Sequence, residues 1–290
     1  MTTYSIEQLR DYSSLFSTRT GENSLQFNDV EDLHVVYKKY ASQKSMGRLI
    51  TGWDFLADAY RILKRYYRNE YVYKNELLNQ VLLKTIGRKD TVILNELPVG
   101  NSVADIAFFN GTSKAFEIKS DLDSDKRLIQ QLEDYKKLFE ECYIVIPETN
   151  KDRYLSLIDD SVGVLVLNHS DRGALTIKQE RPAAPNGTVD IDVLMRTVHT
   201  AEYKWMVKCA FGSLPDTPSF GLFDACKEQL SLLSATQLHN LFNTVMKRRK
   251  TNLRYLKSIP SGSKQMILSL NPEKNNIPRL IDLYNHNLNY

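Results

Sequence analysis

The chain has 290 residues, 42% of them hydrophobic and 25% charged, with 38 Lys and Arg against 35 Asp and Glu. That composition is the globular average for one large domain or two ordinary ones, and it excludes intrinsic disorder, collagen and a membrane bundle. A net charge of +3 is too small to identify a nucleic-acid binder by itself, so the placement of the charges carries the information.

Cys142, Cys209 and Cys226 are widely spaced, with no C-x-x-C pair. Reduced thiols in a cytoplasmic protein are expected. The first residues, Met1-Thr-Thr-Tyr-Ser-Ile, lack the basic and apolar regions of a signal peptide. No apolar run approaches the roughly 18 residues of a membrane span, so no membrane contact is expected.

In chain order, a short helix is predicted near Ile6 to Leu15, followed by loop to residue 28. Residues 29–83 read as helical. Trp53, Leu56, Ala57, Tyr60 and Leu63 fall at spacings of three and four, and Val72, Leu77, Leu78 and Val81 repeat the pattern before a stop at Gly87. The period then changes. Residues 91–99, 103–109 and 113–119 read as strands, with Asn110-Gly111 marking a hairpin between the last two. Ser124 to Glu141 reads as a helix, with Ser124 as a candidate cap. Cys142 to Pro147 reads as a buried strand and Lys151 to Ile158 as a short helix. Val162 to Leu167 is a second buried strand and Ala174 to Gln179 an edge strand. Pro182, Pro185, Asn186 and Gly187 suggest a boundary. Helices are then expected at 193–211, 220–233 and 235–258, with a short last one within 272–290. The expected architecture is a mixed α/β sheet with helices on two sides. Its parts are an N-terminal helical region (1–69), a central core (70–181) and a helical C-terminal domain (188–290).

Three polar residues interrupt the apolar hairpin: Asp105, Glu117 and Lys119. Glu117 and Lys119 are two apart and share a strand face. A two-residue Asn-Gly turn would set Asp105 opposite Phe116, on the wrong face. A three-residue loop or a bulge pairs Phe109 with Ser113 and Asp105 with Glu117, since a one-residue slip exchanges the faces. A three-residue loop or a bulge near Asn110–Thr112 is therefore predicted. Two converging carboxylates repel and are costly to bury unless something positive binds them. Mg²⁺ (or Mn²⁺), which is often held by one or two carboxylates with water and substrate phosphate, is the expected cofactor. Lys119 would sit where it helps deprotonate an attacking water or stabilises phosphate charge, the apparatus for cutting a phosphodiester.

Asp105, eleven intervening residues and then Glu117-Ile118-Lys119 resemble the PD-(D/E)XK nuclease superfamily. The order helix, three-strand meander, helix, strand over residues 70–147 is similar to that superfamily's core. Gln131-Leu-Glu-Asp-Tyr135 resembles the Q-x-x-x-Y motif of its RecB-like branch, with Gln131 and Tyr135 on one helix face and Arg127 one turn earlier. The stretch from Glu117 to Tyr135 is also similar to small bacterial nuclease-like proteins associated with mobile elements or defence. The resemblance covers roughly 80 residues, and Ala104 stands where the superfamily's name has Pro. It implies a restriction-endonuclease-like fold, a meander plus a crossover strand flanked by helices. It also implies a metal-dependent nuclease with Asp105, Glu117, Lys119, Gln131 and Tyr135 as site residues. Asp105 and Glu117 would hold the metal, with a further acid from the preceding helix, Glu70 or Glu76. Glu70 is favoured because a Lys and an Asn lie one turn downstream.

Each motif has a bland reading: a strand-edge carboxylate for Asp105, a solvated hairpin face for Glu117 and Lys119, a surface amide and a core-rim tyrosine for Gln131 and Tyr135. The acids of Asp121-Leu-Asp-Ser-Asp125 fail as a calcium loop, because Lys126 and Leu132 stand where Gly and Glu are required. The basic run Lys247-Arg248-Arg249-Lys250 with Arg254, and Arg127, are candidate nucleic-acid contacts. So are Arg61, Lys64, Arg65 and Arg68, interleaved with tyrosines. DNA is the expected substrate. An RNA-directed nuclease and a catalytically silent nucleic-acid- or protein-binding module are the alternatives. The C-terminal helices are expected to dimerise, grip DNA or dock a protein partner.

Overall fold

The computed structural model describes residues 4–41, 49–85, 91–170 and 173–288. The N-terminal helices are α1 (Ile6–Ser14), α2 (Thr18–Phe27), α3 (Glu31–Tyr40), α4 (Gly52–Tyr66) and α5 (Glu70–Leu77). A π turn at Leu78–Leu82 continues α5, and the expected stop at Gly87 lies outside the described residues. Then follow β1 (Val92–Val99), β2 (Ser102–Phe109), β3 (Ser113–Ile118), α6 (Leu128–Lys136), β4 (Glu141–Pro147), α7 (Lys151–Leu157), β5 (Gly163–His169) and β6 (Leu175–Arg181). The rest is helical: α8 (Ile191–Thr197), α9 (Thr200–Phe211), α10 (Leu222–Ser231), α11 (Ala235–Met246), α12 (Lys264–Ser269) and α13 (Ile277–Tyr284).

The six strands form one open sheet in the order β1 to β6. β1, β2 and β3 are antiparallel, β4 and β5 run parallel to β3, and β6 turns antiparallel against β5. Both faces are covered, as the near-continuous apolar runs of β4 and β5 require. On one face Ile106, Phe108, Phe116, Ile118, Val145 and Leu165 join Leu56, Leu63, Leu77 and Leu280 in a single core. On the other, Ala107, Phe109, Ala115, Ile144 and Val166 pack with Leu132, Leu194, Met206 and Phe242.

Several boundaries differ from expectation. Residues 18–27 are helix rather than loop: Ser17 accepts the Thr20 amide, and Gly21 and Ser24 are buried against α12 and α13. Tertiary packing there outweighs poor helix propensity. The helix expected from Ser124 starts only at Leu128 and ends at Lys136, without a side-chain cap. Upstream, Asp123 accepts both the amide and the hydroxyl of Ser120, and such local bonds compete with helix. The helix expected at 193–211 is two helices broken at Val198, and the one expected at 235–258 stops at Met246. Residues 188–290 do not stand apart as one body. Side chains of α8, α9, α10 and α11 join the core on one sheet face, while those of α12 and α13 join the N-terminal helices on the other. Amphipathic spacing reveals that a helix has a buried side, not which sheet face receives it.

The hairpin register follows the three-residue loop. Phe109 pairs with Ser113 and Ile106 with Phe116 across Asn110-Gly111-Thr112, and Gly111 takes φ +128°. The β2–β3 ladder ends there. Beyond it β2 continues along β1, with Ala104 opposite Leu97, while β3 continues along β4, with Ile118 opposite Val145. The sheet therefore forks at Asp105 and Glu117. Across the fork, Glu96 has φ +53°, and the inward-facing residues of β1 shift from Val92 and Leu94 to Leu97 and Val99. One residue of alternation is lost at that point.

Candidate functional site

The fork is filled by charged side chains. Asp105 reaches across it: its Oδ2 accepts the Ile118 amide at 2.7 Å, a donor left over when the ladder stops. Its Oδ1 lies 3.2 Å from Lys74 Nζ. Glu117, only 2% exposed, accepts Lys119 Nζ at 2.6 Å on Oε1 and Tyr135 Oη at 2.6 Å on Oε2. Lys119 also donates to Gln131 Oε1 at 3.1 Å. Gln131 and Tyr135, one turn apart on α6, thus grip the two ends of the E-x-K pair. Tyr135 Oη also lies 2.6 Å from the carbonyl of Val103, so one hydroxyl proton serves two acceptors.

Asn69 caps α5 and sets Glu70 in its first turn. Glu70 Oε1 holds Lys74 Nζ at 2.5 Å, so the buried ammonium bridges Glu70 and Asp105. Glu76 lies on another side of the helix. There it accepts Tyr60 Oη at 2.7 Å and Gln80 at 2.5 Å, and lies 3.9 Å from Lys64. Of the two alternatives, Glu70 joins the fork and Glu76 does not. Lys74 was legible only as a residue four positions from Glu70, and its bridging role was missed.

Three carboxylates, of Asp105, Glu117 and Glu70, face the ammonium groups of Lys74 and Lys119, leaving negative charge in excess. Burial, with Glu117 and Glu70 nearby, pushes the Asp105 carboxyl up to about 7 despite Lys74. Burial opposes charge on Lys74 too, but the carboxylates of Asp105 and Glu70 outweigh it and hold its pKa above the usual lysine value. Burial and the Glu117 charge raise the Tyr135 phenol well above its ordinary range. Among the described residues, no three His, Cys, Asp or Glu side chains are arranged as a ready-made metal cage. The donor chemistry still fits a hard divalent cation. The oxygens are carboxylate, the charge is in deficit, and Mg²⁺ is commonly held by only one or two carboxylates with water and phosphate.

The Glu117–Tyr135 stretch and the C-terminal basic run therefore have different fates. Arg127 is exposed at the start of α6, near the fork. Lys247 to Lys250 lie on turns past α11 rather than along it, and Arg254 lies in a short 3₁₀ helix, Leu253–Tyr255. Arg249 turns inward and forms a two-pronged pair with Glu202, both bonds 2.7 Å, with Thr197 O at 3.3 Å. Arg248 lies 4.6 Å over the Trp205 ring, Arg254 covers Tyr255, and Lys250 pairs with Glu273 at the surface. From the other basic stretch, Arg68 reaches Asp121, just beyond Lys119, at 3.3 Å.

Residues 64–274 match the family described as bacteriophage P4 protein cII. The chain belongs to that family. Within this cII-family chain, 98 residues are 38% identical to Protein cII of Enterobacteria phage P4, covering 33% of each protein. The match thus spans about a third of the length of that relative. No solved structure matches significantly. The family match takes in α5, the whole sheet, α6 and the basic run, so the fork and its partners lie inside it. No helix among the described residues is long and apolar enough to cross a membrane.

Proposed function

We propose that this cII-family chain is a metal-dependent nuclease of restriction-endonuclease-like type, acting on phosphodiester bonds of DNA. The observation that carries the reading is the convergence of Asp105, Glu117 and Lys119 at a fork in the sheet, with Gln131 and Tyr135 bonded to the same pair. The order α5, β1–β2–β3, α6, β4, with β4 parallel to β3, supports the fold assignment. A family named for a phage protein supports a setting in phage or mobile-element biology.

In this reading Asp105 and Glu117 hold Mg²⁺ or Mn²⁺, with Glu70 completing the set. The bound cation supplies Lewis-acid chemistry, which lowers the pKa of water and neutralises phosphate charge. The Lys119 ammonium orients the attacking water or carries the charge developing on the phosphate. Tyr135 and Gln131 are positioning residues: they fix the orientations of Glu117 and Lys119 so that neither must reorganise. Arg127, one turn before Gln131, and Arg68, paired with Asp121 just past Lys119, would meet the flanking backbone.

A second reading has a specific observation behind it. Every carboxylate oxygen of Asp105 and Glu117 is engaged by the chain's own donors, Ile118, Lys74, Lys119 and Tyr135. A site neutralised in this way suits a fold that binds nucleic acid or protein without cutting. Incubation with linear duplex, circular and single-stranded DNA and with RNA, in Mg²⁺, Mn²⁺ or EDTA, separates the two. The nuclease reading expects metal-dependent cutting that is abolished in Asp105→Ala and Lys119→Ala, reduced in Glu70→Gln and retained in Glu76→Gln. No cutting of any polymer, or cutting that survives EDTA and both alanine variants, overturns it. A preference for RNA would keep the chemistry and change the substrate.

A further inference from the structure

A cavity of about 600 Å³ lies on the outer side of β1, away from the sheet interior. It is walled by Asn95 of β1, Trp205 of α9, the Arg248–Lys250 turn, and the Ser269–Asn271 segment at the end of α12. We propose that it receives a single unpaired nucleotide of the nucleic acid cut at the fork. This rests on the nuclease reading and adds to it a substrate class: a strand with at least one unstacked base.

The walls carry the three chemistries that such a nucleotide needs. Trp205 lines the cavity with its indole, and the Arg248 guanidinium lies over that ring, 4.6 Å from its centroid. Base–aromatic and base–guanidinium stacking tolerates any base and is worth several-fold to a hundredfold in affinity. Asn271 lines the cavity with its amide, whose Oδ1 accepts the Glu273 amide, and Asn95 and Ser269 bond each other and Gln265, a polar wall whose bonds a base edge would exchange. At the mouth, Arg248 makes no ion pair among the described residues, and the Lys250–Glu273 pair is so exposed that it is easily exchanged for a phosphate. Arg249, by contrast, is committed to Glu202 and builds the wall.

Position joins the cavity to the fork. Asn95 pairs in register with Ile106, the neighbour of Asp105, and Glu96 is the next residue along β1. One strand pair thus carries a cavity residue on one side and the carboxylate on the other. The cavity is a concave, solvent-open recess walled by four segments, so a base reaches its floor only when it is out of a duplex stack.

The chain has two tryptophans, and Trp53 is buried against Tyr284, so ligand-dependent changes in emission report on Trp205. The test is titration of the wild-type protein in EDTA, where nothing is cut, with a fluorophore-labelled single-stranded oligothymidylate and with a blunt duplex. Anisotropy and tryptophan emission are both followed. The expected result is quenching by the single strand, affinity at least about tenfold above that for the duplex, and a loss of about tenfold in Arg248→Ala. Trp205→Phe should keep the anisotropy response and lose the quenching. Equal affinity for duplex, or binding without quenching that is unchanged in Arg248→Ala, overturns the proposal. So does quenching by free thymidine monophosphate as strong as by the oligomer, which would make the cavity a small-molecule site. The cleavage assay reports independently. Cutting by wild type that is unaffected in Arg248→Ala sinks the cavity and leaves the nuclease. Quenched, Arg248-dependent binding without cutting supports the cavity's ligand and sinks the catalysis.

Discussion

The Glu117–Lys119 pair allows a quantitative test of how the site is built. Lys119 Nζ and Glu117 Oε1 are 2.6 Å apart, and the residues are 7% and 2% exposed. Removing one member of such a buried pair strands the other charge and typically costs about 3–5 kcal/mol, whereas replacing both by apolar residues is often near neutral. Lys119→Met leaves Glu117 with only the Tyr135 hydroxyl, so its loss should fall at the top of that range. Glu117→Leu leaves Lys119 with Gln131 as acceptor, so its loss should fall toward the bottom. The double variant should lose about 1 kcal/mol or less. The coupling between the two positions is then about 7 kcal/mol in favour of the pair, far above the roughly 0.5 kcal/mol scatter of independent sites. Equilibrium urea unfolding in EDTA at neutral pH, followed by tryptophan emission and circular dichroism, measures all four proteins. Additive losses would refute the claim that these two charges balance each other in a desolvated fork. The double variant should also be inert in the cleavage assay while nearly as stable as wild type, which would separate the role in chemistry from the role in folding.

Asp105, raised to about 7 in the folded chain from an ordinary carboxylate value of 3.8, binds its proton more tightly folded than unfolded. Stability contributed by its neutral form is complete below about pH 4 and is lost as pH rises toward 7. Wild type should therefore fall in stability relative to Asp105→Asn across that window, measured by urea unfolding without metal, and a flat difference would refute the assignment. Arg249→Ala breaks the two bonds to Glu202 and leaves a half-buried carboxylate. A loss of about 1.5–3 kcal/mol is expected, with single-strand affinity little changed, whereas Arg248→Ala should change affinity and leave the urea midpoint in place. Gly163 faces the Tyr143 ring across the β4–β5 ladder. A Cβ there would overlap that ring and lie 2.8 Å from the Ala183 nitrogen. Gly163→Ala should cost about 1–3 kcal/mol in urea unfolding with the cleavage pattern retained, and an unchanged midpoint would show that the ring yields freely.

The sequence by itself determined the three-strand meander and the odd hairpin register, through a three-residue loop or a bulge, that sets Asp105 level with Glu117. These follow from period-two patterning and register parity, which act between residues close in the chain. It also determined that Gln131 and Tyr135 share a helix face and that Glu117 and Lys119 share a strand face. What it left open depended on long-range packing. Glu70 and Glu76 are equally acidic and lie on one short helix, and only the approach of Tyr60, Gln80 and Lys64 draws Glu76 away from the fork. Lys74 becomes part of the site because α5 crosses the open end of the β2–β3 ladder, a contact with no local signature. Arg248 and Arg249 are neighbours in one basic run, yet Glu202 on α9 claims one and the Trp205 ring receives the other. Charge in a run can be counted from the sequence. Whether each charge is spent inside the fold or offered outside is decided by which carboxylates the tertiary structure brings within reach.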